Sequence, residues 1–481
     1  MKRPITPFHR FPGRLAVSAM LSVLSRGRRP RFLAAAMLAF ALALPPAAPA
    51  AAQGRGVSVV RDAEIEALVA DYARPILEAA GLGRSGIEIV LVNDPSFNAF
   101  VTGRRIFINT GALLMAETPN EIIGVLAHEA GHIAGGHQQR LRDQLSRAQT
   151  MAVIATLVGA GAAAAGAATG TGGLAQGGAG IATGGMEAAR RSLLAYQRTE
   201  EITADRSAIT YLERTGQSAR GMLKTFERLA GSMALAGVRV DPYQISHPMP
   251  RERIANLETL ARASKHFERR DPPALQQRHD LMRAKIAAYT QGRAAATRIF
   301  GRDPRGVPAL YADAIGTMLS GNARAALPKI EALIKAAPNN PYFHEMRGEI
   351  LMKAGRPVEA SEAFALAMRH DSRKSGIIQI GYGQALMASN RPDLARKAVS
   401  ELQAGLSRAK EYAAGYRYLA QAHAQLGDVA EAELATAEGH FHSGNQREAR
   451  IFAARAQQKL ARGTPSWLRA QDIINYRQPG R

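Results

Sequence analysis

The residues best equipped for chemistry are His128-Glu129-Ala130-Gly131-His132. Two imidazoles four positions apart share one face of a helix, about one turn from each other, where their neutral nitrogens can grip a single Zn²⁺. Glu129, beside the first histidine, is then placed to take the proton of the attacking water. Such a site needs a third protein ligand. Gly135 hints at the longer pattern H-E-x-x-H-x-x-G-x-x-H, but the position requiring His is Gln138. His137 stands one residue out of register, so that class fails, and His137 is expected on the helix surface or in packing. The other solution is a carboxylate from a later helix. Arg198-Thr199-Glu200-Glu201-Ile202-Thr203-Ala204-Asp205 supplies Glu201 and Asp205 at helical spacing. Glu201 is the expected ligand, with Glu200 as its rival, and Asp205 is expected to hydrogen-bond a ligand histidine from behind.

Several elements must hold these groups. Ile65, Leu68, Val69, Tyr72, Ile76 and Leu77 recur at helical spacing between Arg61 and Ala80, with Gly81 and Gly83 as stops. Residues 87–92 and 105–109 are strand-like, and 98–101 is positioned to pair with the second as a hairpin across Thr102-Gly103. Thr118-Pro119-Asn120-Glu121 predicts a capping box opening the helix that carries the two histidines. From Ala148 to Met186 no residue is charged, and the second half is Gly-rich. Ala and Gly gain little from hydrocarbon, so a lid or buried helical hairpin is expected there ahead of a membrane span.

Residues 305–470 repeat. Gly321-Asn322-Ala323, Gly355-Arg356-Pro357, Asn390-Arg391-Pro392, Gly427-Asp428-Val429 and Gly444-Asn445-Gln446 open similar turns at intervals of 34, 35, 37 and 17 residues. A period near 34 with a closing Pro338 resembles tetratricopeptide repeats, which offer a concave surface and no chemistry of their own. At the other end, basic residues ending in Arg28-Arg29-Pro30-Arg31 precede the apolar run 32–44 and the small-residue site Ala48-Pro49-Ala50. This is the pattern of a cleaved secretory signal over residues 1–52, with Met20 as an alternative start. The run is short of the roughly 20 residues a spanning helix needs.

Composition narrows the function. The 481 residues include no cysteine, which excludes disulfides, thiolate zinc sites and a cysteine nucleophile. The net charge of +22 falls to +14 (54 basic groups against 40 acidic) once residues 1–52, with eight basic groups and no acidic one, are set aside. No nucleic-acid motif accompanies that charge, and export argues against such a partner.

With Asn98-Ala99-Phe100 and Asn109-Thr110-Gly111 upstream, His-Glu-x-x-His followed by Glu-x-x-x-Asp resembles the HtpX-like / CAAX-prenyl-protease family of gluzincin metallopeptidases. The likeness is greatest to its soluble periplasmic branch with C-terminal tetratricopeptide repeats. The resemblance implies His128, His132 and Glu201 as ligands of one zinc per chain and Glu129 as general base. It also matches Ser246-His247-Pro248-Met249-Pro250-Arg251-Glu252-Arg253 to a family segment. There His247 approaches the metal, holding the enzyme latent or stabilising the oxyanion, and Arg253 assists near the tetrahedral intermediate. The expected architecture is an α+β zincin-type domain over 57–265, a helical linker over 266–304 and an all-α repeat solenoid over 305–470. The expected protein is a periplasmic zinc endopeptidase that binds extended polypeptide along Asn98, Ala99 and Phe100. By resemblance it serves outer-membrane barrel precursors and their assembly machinery, with peripheral membrane contact. The rival expectations are a chaperone-like scaffold with latent proteolysis and an integral-membrane protease.

Overall fold

The computed structural model describes residues 58–236, 243, 247–248 and 250–477. The signal segment 1–52, and Ser246 and Met249 of the His-Pro segment, lie outside the described residues. A short strand, β1 (Val59–Val60), leads into helix α1 (Ala63–Ala79), where the Asp62 carboxylate accepts the Ile65 N–H at 2.9 Å and so satisfies an otherwise orphan helix donor. Ile65, Leu68, Val69, Tyr72 and Ile76 form the buried stripe that their spacing predicts. Gly81, at φ +74°, takes the left-handed conformation that stops the helix.

β2 (Glu88–Val92), β3 (Ala99–Thr102) and β4 (Arg105–Asn109) complete a four-stranded sheet in the order β1-β2-β4-β3. The expected hairpin forms between β3 and β4, turning at Gly103 with φ +61°. β2 runs parallel to β4, which leaves β3 at the edge. β1 had no periodic signal because it contributes only two residues.

After α2 (Thr110–Met115) comes the histidine helix α3 (Pro119–Ala134). Thr118 and Pro119 stand at the N-cap and first turn as expected, but the capping box does not form. Glu121 turns back to accept the Glu117 N–H at 3.1 Å and the Thr118 hydroxyl at 3.5 Å, and the Thr118 side chain caps no helix N–H. Lys224 and Arg228 draw the Glu121 carboxylate aside at 3.2 and 2.9 Å. Every residue from Pro119 to His132 is buried, so this helix is apolar around most of its circumference and needs cover on all sides. Two glycines admit that cover. A Cβ on Gly124 would lie 2.6 Å from Met222 Cβ of a later helix, and one on Gly131 would lie 3.0 Å from Ala204 O.

α4 (His137–Thr169) and α5 (Gly172–Arg214) form a long two-helix hairpin joined at Gly170-Thr171, which contains the uncharged stretch. The expectation of a buried hairpin fails: Val153, Ile154, Leu157 and Val158 are exposed, and the covered positions of α4 from Ala148 to Gly166 are Ala and Gly. α4 is long and apolar enough to cross a membrane. α6 (Arg220–Ala236) and α7 (Arg251–Arg262) then close around α3 and α5.

Residues 266–304, expected as a linker, supply α8 (Pro273–Gln291) and α9 (Arg293–Ile299). α8 is core. Leu281, Met282, Ala284 and Ala287 are buried in one apolar cluster that extends from α1 to Ile350. Fully buried Lys285 reaches Asp62 at 2.7 Å and Glu64 at 3.5 Å, and the Tyr311 hydroxyl donates to Glu64 at 3.0 Å. Also on α8, His279 Nε2 donates to Ala116 O at 2.9 Å, and its Nδ1 lies 3.0 Å from the Tyr72 hydroxyl, from which the neutral ring accepts.

Burial pushes His279 down to about 4. The unfolded chain takes up a proton below about 6.5 while the folded chain does not, so stability is whole above pH 6.5 and falls between 6.5 and 4. Between pH 7 and pH 5 the wild type should lose about 2 kcal/mol more than His279→Gln, each measured without metal by urea unfolding. Parallel losses in the two proteins would refute this account.

The rest is helical: α10 (Val307–Leu319), α11 (Ala323–Ala336), α12 (Pro341–Lys353), α13 (Pro357–His370) and α14 (Gly376–Ala388), then α15 (Pro392–Arg408), α16 (Ala413–Gln425), α17 (Val429–His442), α18 (Gln446–Gln457) and α19 (Pro465–Asn475). Each packs on the next. Gly321, Gly355, Asn390, Gly427 and Gly444, the first residues of the five turn motifs, all have positive φ, from 54° to 87°. The motif therefore begins with Gly or Asn, the residues that tolerate a left-handed helix end.

Candidate metal centre

α3 presents His128, Glu129 and His132 on the face covered by α5, and α5 presents Glu201 and Asp205 back to it. Gly131 makes this possible, since a side chain at that position would press on the α5 backbone at Ala204. His128 Nε2 and His132 Nε2 lie 3.0 Å apart, and Glu201 reaches them at 3.3 and 3.4 Å. His247 joins the cluster, its Nδ1 3.3 Å from His128 Nε2 and 3.0 Å from Glu201 Oε1. One donor atom from each of these four residues lies within 4.8 Å of the others, and all four residues are buried. Ligand atoms around a tetrahedral zinc, at bonds of about 2.0–2.1 Å, sit roughly 3.3 Å apart, so this donor set fits the metal.

The remaining nitrogens are held from behind. Asp205 Oδ1 lies 3.0 Å from His128 Nδ1, the contact expected from sequence. His132 Nδ1 is hydrogen-bonded at 2.9 Å to Nδ1 of His137, whose Nε2 lies 2.7 Å from Glu200. Sequence reasoning missed this role for His137. The ring is buried beside the site because α3 ends at Gly135, Gly136 turns the chain at φ +66°, and α4 starts at His137. Helical spacing cannot foresee a return through a turn. The same contact separates the two rival glutamates: Glu200 is engaged by His137 and, at 2.7 Å, by Arg140, while Glu201 faces the histidines.

Arg253 is buried and fully committed. It forks onto Asp205 at 2.6 and 2.9 Å and meets Glu201 at 2.8 Å and Pro248 O at 3.0 Å. Burial works to raise both acids, but Glu201 is held well below the usual range by His247 and His128, and Asp205 is lowered by Arg253. Glu129 differs: burial raises it, only partly offset by His247 and His128. Neither of its oxygens has a hydrogen-bond partner, and His247 Nε2 stands 3.5 Å away. A buried carboxylate with proton affinity above normal and unused lone pairs beside a metal-type cluster is suited to general-base work. Asn98, Ala99 and Phe100 sit at the edge strand β3, which lies against α3. Gln138 covers part of that edge, accepting the Gly103 N–H at 2.9 Å and donating to Val101 O.

Residues 60–261 match the model of peptidase family M48. The chain carries an M48 peptidase domain. It is a zinc metallopeptidase, and the buried histidine–glutamate cluster lies within the matched residues of this M48 domain. The chain is also similar to the Beta-barrel assembly-enhancing protease of Escherichia coli K12, at 22% identity over 382 residues, 77% of this chain and 74% of the relative. A Vibrio cholerae protein described in similar terms is 24% identical over 418 residues, 84% of this chain and 82% of the relative.

Proposed function

We propose that the chain is an exported endopeptidase acting in outer-membrane protein quality control, on misfolded or stalled envelope polypeptides. The convergence of His128, His132 and Glu201 beside the unpartnered Glu129 carboxylate carries this reading. These three residues hold the zinc, with Asp205 fixing His128. The ion, when bound, polarises the scissile carbonyl and acidifies the attacking water. Glu129 takes that water's proton and later hands it to the leaving amine. Substrate backbone lies along Asn98–Phe100 as an added strand. Arg253 steadies Glu201 and Asp205 beside the tetrahedral intermediate.

Residues 57–265 are the peptidase domain in this reading. Residues 266–304 connect it to tetratricopeptide repeats over 305–470, which recruit substrates or the barrel assembly machinery. Residues 1–52 are a cleaved signal delivering the protein to the periplasm, where it contacts the membrane peripherally. The similarity to proteases named for barrel assembly supports the substrate class. The test is zinc per chain: about one in the wild type, falling sharply in Glu201→Ala. Little zinc in a folded, metal-loaded wild type would overturn the reading.

The position of His247 favours a second element, latency. Its ring, packed under Tyr243 at 4.6 Å, fills the space between Glu129 and Glu201 that substrate and water must enter. His247→Ala should raise hydrolysis of an unfolded protein by about tenfold or more, the effect of removing a competing group worth ~1.4 kcal/mol. A fall in rate would instead assign His247 to oxyanion stabilisation. Unchanged, negligible hydrolysis would favour a chaperone-like repeat scaffold.

A further inference from the structure

The α4–α5 hairpin is built inside out for water. On α4 the covered positions from 148 onward, Ala148, Ala152, Ala155, Gly159, Ala162, Ala163 and Gly166, are all small and recur every three or four residues. Gly178, Ala182 and Gly185 answer them from α5. A Cβ on Gly159 would collide with Gly178 O, and one on Gly185 with Ala155. The large apolar side chains face away from this seam. Met151, Val153, Ile154, Leu157 and Val158 are all about half exposed or more, and Leu157 reaches 66%. A water-soluble hairpin buries its large residues and exposes polar ones. Small residues at the seam with aliphatics outside is the arrangement of helices packed in lipid, where close backbone approach replaces the hydrophobic effect.

On α4, length and charge agree. The uncharged part of α4, residues 148–169, extends about 33 Å, against a hydrocarbon core of roughly 30 Å. At the base, where the hairpin joins the peptidase core, residues 140–147 and 187–191 bring five arginines against Asp143 and Glu187, with Arg140 paired to Glu200. Arg190 and Arg191 are largely exposed. This basic collar is complementary to anionic headgroups at the depth where the apolar stretch ends.

We propose that the hairpin inserts tip-first into an anionic bilayer and holds the peptidase core at the membrane surface. The proposal deepens the membrane contact given above and does not depend on the peptidase reading. Vesicle binding needs no hydrolysis, so it can fail while the zinc assay succeeds, and the reverse.

The test is flotation of the full chain with phosphatidylethanolamine/phosphatidylglycerol vesicles, comparing wild type with the double variant Ile154→Asp, Leu157→Asp. Both side chains are exposed, so helicity and zinc content should be unchanged, and these serve as the folding control. Vesicle partitioning should fall by at least about 100-fold, given the cost of an Asp in hydrocarbon. The apolar run 32–44 is common to both proteins, so binding through that run alone would leave the variant floating like the wild type and overturn the proposal. Because the chain has no cysteine, Leu157→Cys gives a single labelling site. A fluorophore there should shift to the blue with vesicles and be quenched by nitroxide on the acyl chains. A label that stays in water in vesicle-bound protein, or responds only to an unfolded barrel polypeptide, would overturn it and mark the hairpin as a client-binding surface.

Discussion

Replacing Glu129 by Gln is expected to cut peptide hydrolysis by on the order of 10²–10⁴-fold while leaving zinc at the wild-type level. The carboxylate is fully buried and keeps both oxygens free of hydrogen bonds, so its removal costs the fold little. Gln has nearly the same shape but cannot accept a proton from water at neutral pH. It is no part of the four-residue cluster, so the metal should stay. Hydrolysis of an unfolded protein and zinc content, measured on one preparation, decide the matter. Loss of rate with full zinc assigns Glu129 to proton transfer; loss of both would mean that it supports the metal instead; wild-type rate with full zinc would remove it from the mechanism.

Arg253→Leu should have the largest effect on the fold around the site. The guanidinium is buried between two carboxylates, its polar contacts made to Asp205, Glu201 and one carbonyl, with its carbon 5.2 Å from the Phe226 ring centroid. Removing it strands two buried negative charges beside each other, a change that typically costs about 3–5 kcal/mol. Zinc would restore part of the missing positive charge, so the loss should be greater in the metal-free protein, and zinc affinity should not be spared because Glu201 loses its anchor. Arg253→Lys should recover only part, since an ammonium cannot fork onto Asp205 and reach Glu201 as well. Urea unfolding with and without zinc measures this. Equal stability of metal-free wild type and Arg253→Leu would sink the assignment.

Much of the site was legible because it depends on short-range spacing. H-E-x-x-H fixes two nitrogens on one helix face, and Glu201 and Asp205 lie one turn apart on another, whatever the surrounding fold does. Turn chemistry was equally local: Gly321, Gly355, Asn390, Gly427 and Gly444 open their turns because few other residues accept positive φ. The capping box at Thr118 shows the limit, since Lys224 and Arg228 arrive from a distant segment and redirect Glu121.

What the sequence by itself determined, then, was the histidine pair, the metal chemistry it suits and the repeat turns, because each is settled within a few residues along the chain. Only the tertiary structure decided which of Glu200 and Glu201 faces the histidines, that His137 supports His132, that Arg253 is spent on carboxylates, and that the uncharged hairpin shows its aliphatics outward. Those outcomes depend on how a helix is rotated against partners many residues away, and periodicity fixes a helix's faces without saying which neighbour each face will meet.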